Sequence, residues 1–124
     1  MSKLLIVDDE ESICWGLSQL GESLGHQVRM ASSAEQALTF AEEERPDVVV
    51  MDVRLPGIDG LTAMQGLYDR IGTVPVIVIT AYGDLQTAVE AVRKGAFDYI
   101  VKPFDLNQME RVLEKAIGES QRDV

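Results

Sequence analysis

The sequence has few of the side chains that carry redox, zinc or hydrolytic chemistry. Its 124 residues include one cysteine, one histidine and one tryptophan. A lone cysteine cannot close an internal disulfide, which agrees with a reducing compartment. Without a second histidine or cysteine, a zinc site is excluded. Cys14 falls near the apolar stripe of a predicted helix, so packing is favoured over a nucleophilic role.

Basic side chains are also scarce. The chain has 11 lysines and arginines against 21 acidic residues, a formal charge of -10. Such a surface repels a nucleic-acid backbone, so we expect no direct nucleic-acid binding. The acidic run 42–44 is typical of a solvated surface.

Long apolar runs are missing. No stretch approaches the roughly 20 residues of a membrane span, and the short apolar run after Lys3 cannot form a signal-peptide core. We therefore expect a cytoplasmic protein without membrane contact. The length of 124 residues matches a single domain with a buried core.

Short apolar runs are present and recur along the chain. Runs rich in β-branched residues are typical of strands that are buried on both faces of a parallel sheet. A fifth, weaker segment alternates polar and apolar residues, as an edge strand does. The strong runs are residues 4–7, 48–51, 76–79 and 99–101, and the weak one is 27–31.

Stretches with helical spacing separate these runs. Ser33 and Gln36 form a candidate capping box, Gly95 a candidate C-cap and Asp105 a candidate N-cap. An apolar stripe predicts a helix over residues 11–24. Four further stripes, within residues 34–41, 61–68, 85–92 and 106–116, predict four more helices, and the helix that contains 85–92 would end at Gly95.

Strict alternation of strands and helices predicts an α/β fold with right-handed crossovers and helices on both faces of the sheet. We expect a flavodoxin-like (βα)5 doubly wound parallel five-stranded sheet. The strand order 2-1-3-4-5 is assigned by analogy with that fold. Residues 1–117 would form this domain, and the polar residues 118–124 a linker stub toward an output domain.

Polar side chains follow four of the five strands. Open parallel sheets bind ligands at the carboxyl ends of their strands, so these side chains should meet at one edge. Taken singly, each could instead be a turn, capping or solvated residue. They are Asp8 and Asp9 after the first strand, Asp52 after the third, Thr80 after the fourth and Lys102 after the fifth.

Three converging carboxylates repel one another and need protonation or a cation. Oxygen ligands without nearby His or Cys favour Mg²⁺. A carboxylate beside Mg²⁺, with an ammonium opposite, can attack a phosphoryl group. The predicted product is an acyl phosphate.

Four motifs also carry a family resemblance that covers nearly the whole chain. The sequence resembles the receiver domain of bacterial two-component response regulators. The segments 80–84 and 95–99 are further similar to the receivers of NtrC-like transcriptional activators. The four motifs are Val7-Asp8-Asp9-Glu10, the segment 51–60, Ile79-Thr80-Ala81-Tyr82 and Lys102-Pro103-Phe104.

The resemblance implies a role for each site residue. Asp52 would be the phosphoacceptor, Lys102 would pair with the phosphoryl oxygens, and the Lys102–Pro103 peptide bond would be cis. Thr80 would bind the phosphoryl group after transfer, and Tyr99 would be an aromatic switch. Asp9 would bind Mg²⁺ directly, Asp8 largely through water, and Asp52 and the Arg54 backbone carbonyl would complete the metal ligands.

The resemblance also implies partners. A sensor histidine kinase would supply the phosphoryl group, and an output domain, of a transcriptional kind, would receive the signal. The domain would catalyse its own phosphorylation and dephosphorylation rather than turn over a separate substrate. The fourth helix, fifth strand and fifth helix would form the signalling face and could pair in a phosphorylation-dependent homodimer.

Three other functions share parts of this pattern. A flavodoxin-like FMN protein needs a neutral loop after the first strand, whereas Asp8, Asp9 and Glu10 would repel the FMN phosphate. A Mg²⁺-dependent phosphatase or transferase normally needs a substrate cap, and no insertion supplies one. A pseudo-receiver would keep the fold without the chemistry, but each site position holds a competent residue.

Overall fold

The computed structural model describes residues 1–121, and residues 122–124 of the predicted linker lie outside the described part. Five parallel strands form one sheet in the order β2-β1-β3-β4-β5, which confirms the predicted fold and strand order. The strands are β1 (Lys3–Val7), β2 (Gln27–Ala31), β3 (Val48–Asp52), β4 (Val76–Ala81) and β5 (Asp98–Lys102).

A helix follows each strand. The short 3₁₀ turn Tyr82–Asp84 precedes the fourth of them. The helices are α1 (Glu11–Ser23), α2 (Ala34–Glu43), α3 (Gly60–Ile71), α4 (Leu85–Arg93) and α5 (Leu106–Ser120). Helix α5 runs three residues beyond the predicted domain boundary at residue 117, and the boundary itself stays a prediction.

The core has two layers, one on each face of the sheet. Helices α2, α3 and α4 cover one face, and α1 and α5 cover the other. Every residue of β3 is buried, as its continuous apolar run predicted. The edge strand β2 is mostly exposed. Cys14 is buried, as expected for a packing residue, whereas Trp15 is 66% exposed.

The predicted helix ends have cap geometry, although the Gln36 side chain accepts a hydrogen bond from the Ser32 amide and so does not close the capping box with Ser33. The Ser33 hydroxyl accepts a hydrogen bond from the Gln36 amide, and the Asp105 carboxylate accepts one from the Asn107 amide. Gly95 has φ +116°, a conformation that favours glycine after a helix. No helix within residues 1–121 is long and apolar enough to cross a bilayer.

Candidate functional site

The carboxyl ends of the strands bring the predicted site residues to one edge of the sheet. Asp8 follows β1 directly, Asp52 ends β3, and Lys102 ends β5. The register aligns Asp52 with Ile79 of β4, next to Thr80. The parallel sheet therefore assembles side chains that lie up to 94 residues apart in the sequence.

Lys102 lies among three carboxylates. Its Nζ donates a hydrogen bond to Asp52 Oδ2 at 2.6 Å and another to Glu10 Oε1 at 3.0 Å. Asp8 Oδ2 is also 3.0 Å from this Nζ, an ion pair without hydrogen-bond alignment. The side chains of Asp8, Asp52 and Lys102 are 0%, 10% and 15% exposed, so these charges interact with little screening by water.

The charges at this edge shift one another's pKa. Burial opposes the charged ammonium, but the contacts with Asp52, Asp8 and Glu10 dominate and raise the pKa of Lys102. Lys102 therefore remains a cation at neutral pH. Burial also raises the pKa of Asp8, although the hydrogen bond from the Glu10 amide lowers it in part.

The oxygen atoms of this cluster fit a hard divalent cation. Single carboxylate oxygens of Asp8, Glu10 and Asp52 all lie within 4.8 Å of one another. Among the residues described, Asp8 Oδ2 is a buried oxygen that accepts no hydrogen bond. Its ion pair with Lys102 at 3.0 Å compensates part of the cost of burial, and coordination to a divalent cation would compensate more of it. The donor set consists of carboxylates alone, which suits Mg²⁺ better than zinc.

Two acids differ from the expected arrangement. Asp9 is exposed and is absent from the 4.8 Å cluster, so its role as a direct ligand stays a prediction. Glu10, which the sequence reasoning passed over, contacts Lys102 instead. Its position next to Asp8 and Asp9 was the available signal, but the reach of its side chain to β5 could not be predicted from spacing.

Thr80 and Tyr99 lie on the neighbouring strands β4 and β5. Thr80 is fully buried, and its hydroxyl donates to the Ala81 carbonyl at 3.0 Å. Tyr99 is half-buried and packs against the core on the α4 face. Thr80 must therefore exchange a hydrogen-bond partner if it is to bind a group on Asp52.

The loop after β3 holds Asp52 from the main chain. The Arg54 amide donates to Asp52 Oδ1 at 2.8 Å. A Cβ on Gly60 would lie 2.6 Å from the Val53 Cα, so only glycine lets the start of α3 approach this loop. The Lys102–Pro103 peptide bond is cis, as the resemblance implied.

Comparison with known sequences identifies relatives of this domain. The response regulator receiver domain model matches residues 4–114. The regulatory protein AtoC of Escherichia coli is 39% identical over 117 residues, which are 94% of this chain and 25% of AtoC. The transcriptional regulator NtrC of Proteus hauseri is 39% identical over 112 residues, 90% of this chain and 24% of NtrC. The chain thus spans about a quarter of the length of these relatives.

Solved structures give the same result. A receiver domain protein from Clostridium thermocellum has a TM-score of 0.91 at 30% identity and covers 98% of each chain. NtrX from Brucella abortus, in a structure with ADP, has a TM-score of 0.92 at 34% identity over 97% of this chain and 28% of NtrX. In sequence and in fold, the chain belongs to the response regulator receiver domain family.

Proposed function

We propose that Asp52 accepts a phosphoryl group from a phosphohistidine of a sensor histidine kinase, or from a small acyl phosphate. The observation that carries this proposal is the 2.6 Å contact between Lys102 and Asp52 beside the buried Asp8 carboxylate. Asp52 is the carboxylate that both the Lys102 ammonium and the Arg54 amide orient.

In the transfer, an Asp52 carboxylate oxygen attacks the phosphorus atom. The new O–P bond forms as the P–N bond of the phosphohistidine breaks, and the imidazole keeps the electron pair and takes a proton. Lys102 is close enough to pair with the phosphoryl oxygens as the charge moves onto Asp52. When bound, a Mg²⁺ ion held by Asp8, Asp9, Asp52 and the Arg54 carbonyl supplies further charge neutralisation.

Signalling follows from the residues behind Asp52. The Thr80 hydroxyl leaves the Ala81 carbonyl and donates to a phosphoryl oxygen, and Tyr99 turns further inward. This places the response on α4, β5 and α5. The domain also catalyses the loss of its own phosphoryl group and turns over no separate substrate. A cytoplasmic location fits its single reduced thiol.

The output is an attached domain or a downstream effector that regulates transcription. Both relatives are about four times longer than this chain, and NtrC is a DNA-binding transcriptional regulator by name, which supports this part of the proposal. The acidic surface supports the absence of direct nucleic-acid contact by this domain.

A homodimer on the α4-β5-α5 face is part of the proposal. Val92 and Leu106 are 37% and 51% exposed there, and Lys94 lies 3.9 Å from Glu90 on the same helix. Beryllofluoride with Mg²⁺ should shift the domain toward a dimer in analytical ultracentrifugation, and Lys94→Glu should weaken that shift. If beryllofluoride with Mg²⁺ binds and the domain still sediments with the mass of a monomer, the dimer is contradicted.

The phosphoacceptor role is tested by intact-mass spectrometry with acetyl phosphate. The wild type should gain one phosphate in Mg²⁺ and none in EDTA, and Asp52→Asn should gain none. Asp69→Asn removes an exposed carboxylate of α3 and serves as the matched control, which should behave as the wild type does. Undiminished uptake by Asp52→Asn would overturn the proposal.

A further inference from the structure

The helices differ in how their first turns are capped. At the starts of α2, α3 and α5, the N-cap side chain accepts a hydrogen bond from an amide of the first turn. These N-caps, Ser33, Asp59 and Asp105, also have extended backbone conformations. The N-cap of helix α4 is Asp84, a residue type that caps helices well, yet the Asp84 carboxylate makes no cap hydrogen bond. The backbone of Asp84, at φ -111° and ψ 17°, is not extended.

The Asp84 carboxylate is bound by Arg54 instead. Arg54 Nε lies 2.6 Å from Asp84 Oδ2, and Arg54 Nη2 donates to Asp84 Oδ1 at 2.8 Å. This is the two-pronged geometry that guanidinium groups form with carboxylates. The Arg54 amide, in the same residue, donates to Asp52. One residue therefore links the proposed phosphoacceptor to the start of α4.

A phosphoryl group on Asp52 would compete for this guanidinium. An aspartyl phosphate carries about two negative charges where the Asp52 carboxylate carried one, and it places three acceptor oxygens two residues from Arg54. The Arg54 side chain is 80% exposed and the Asp84 side chain is 15% exposed, so water reaches the guanidinium side of this ion pair and a more highly charged acceptor can compete for it. The hydrogen bond and charge of Asp84 chiefly raise the pKa of Arg54, and the Asp52 charge adds to the effect, so Asp52 already acts on this group.

We propose that phosphorylation moves the Arg54 guanidinium from Asp84 to the phosphoryl group, and that the freed Asp84 carboxylate then caps α4. The inference rests on the proposed function, since it needs a phosphoryl group on Asp52. Asp84 has two mutually exclusive partners, Arg54 and the first-turn amides of α4. A phosphoryl group on Asp52 can shift the equilibrium between these two arrangements, because it binds the Arg54 guanidinium in only one of them.

Amide hydrogen exchange at Gln86 and Thr87 tests whether the Asp84 carboxylate leaves Arg54 and caps α4. These are the amides that an N-cap side chain at residue 84 can reach. In the wild type, beryllofluoride with Mg²⁺ should slow exchange at one of them about fivefold, the factor that a cap worth about 1 kcal/mol produces. Asp84→Ala should lose this slowing and still take up phosphate from acetyl phosphate.

Two further variants sharpen the test. Asp84→Asn keeps a capping side chain but has no charge for Arg54, so its amides should exchange slowly even without beryllofluoride. Arg70→Gln breaks a comparable exposed ion pair, Arg70 with Glu42 at 2.8 Å, away from the site and should behave as the wild type does.

The outcomes separate the two proposals. If beryllofluoride slows amide exchange in Asp84→Ala as much as in the wild type, Asp84 does not cap α4 and the inference is overturned. The inference is also overturned if the wild type takes up phosphate and beryllofluoride slows exchange at neither Gln86 nor Thr87. If the wild type takes up no phosphate at all, the proposed function fails and this inference fails with it.

Discussion

The starts of the helices divide the molecule into two regions. Helices α2, α3 and α5 begin with a side chain that caps its own first turn. The N-caps of helices α1 and α4 are the acids Glu10 and Asp84, whose carboxylates bind Lys102 and Arg54 instead. Both of these cations also contact Asp52, one through its ammonium and one through its backbone amide. The charge at Asp52 can therefore affect the starts of α1 and α4, whereas local caps stabilise the starts of the other three helices.

Lys102→Met should break this arrangement with the largest effect. It leaves Asp8 and Asp52 buried without their cation, and the loss of one partner from a buried ion pair costs about 3 kcal/mol. The free energy of unfolding measured in EDTA should fall by about that amount, and phosphate uptake should be lost. Added Mg²⁺ should restore part of the stability, because it supplies positive charge to the same carboxylates.

Lys94→Met is the matched control for Lys102→Met. Lys94 is half-exposed and lies 3.9 Å from Glu90 within α4, so its removal should cost less than about 0.5 kcal/mol. Equal losses for the two lysine variants would show that Lys102 holds no buried cluster together.

Asp8→Asn should have a smaller effect of opposite sign on the metal-free protein. Burial raises the pKa of Asp8 above its ordinary value of 3.8, so the ionised form destabilises the fold. Stability from this group is present below pH 3.8 and is lost as the pH rises through the folded-state pKa. In EDTA at neutral pH, the free energy of unfolding that urea denaturation measures should therefore be about 1 kcal/mol higher for Asp8→Asn than for the wild type.

The pH dependence provides the check on Asp8→Asn. Its advantage over the wild type should shrink toward acid, where Asp8 is protonated, and Mg²⁺ should stabilise the variant less than the wild type. If the stability difference between Asp8→Asn and the wild type instead grows as the pH falls, the pKa of Asp8 is not raised in the folded protein.

The smallest expected effect is the difference in stability loss between Ser33→Ala and Asp84→Ala. Ser33 caps α2, so its loss should cost about 1 kcal/mol in urea unfolding. Asp84 makes no cap hydrogen bond in this structure, so its replacement should cost less. A larger loss for Asp84→Ala than for Ser33→Ala would contradict the distinction between the two kinds of helix start.

The sequence predicted the sheet well because its signals are local. A continuous apolar run such as Val48 to Met51 is typical of a strand that is buried on both faces. Because the strands are parallel, the residues at their carboxyl ends then lie at the same edge of the sheet. That reasoning located Asp8, Asp52, Thr80 and Lys102 at one edge. Helix ends at Ser33 and Asp105 followed from residue types with strong capping preferences.

The pairing of exposed charged side chains was not predictable in the same way. Glu10 contacts a lysine 92 residues away, and Arg54 contacts an aspartate 30 residues away. Long charged side chains have many rotamers, and no periodic pattern selects among them. The length of α5 was also underestimated, because the polar residues 118–120 lack an apolar stripe although the helix continues through them.

The most direct test of the central claim is to locate the phosphoryl group. Borohydride reduces an aspartyl phosphate to homoserine, and peptide mass spectrometry then identifies the modified position. After treatment with acetyl phosphate and Mg²⁺, we expect homoserine at position 52 and unchanged aspartate at positions 8 and 9. Homoserine at position 8 or 9, or phosphate that borohydride does not remove, would contradict the assignment of Asp52 as the phosphoacceptor.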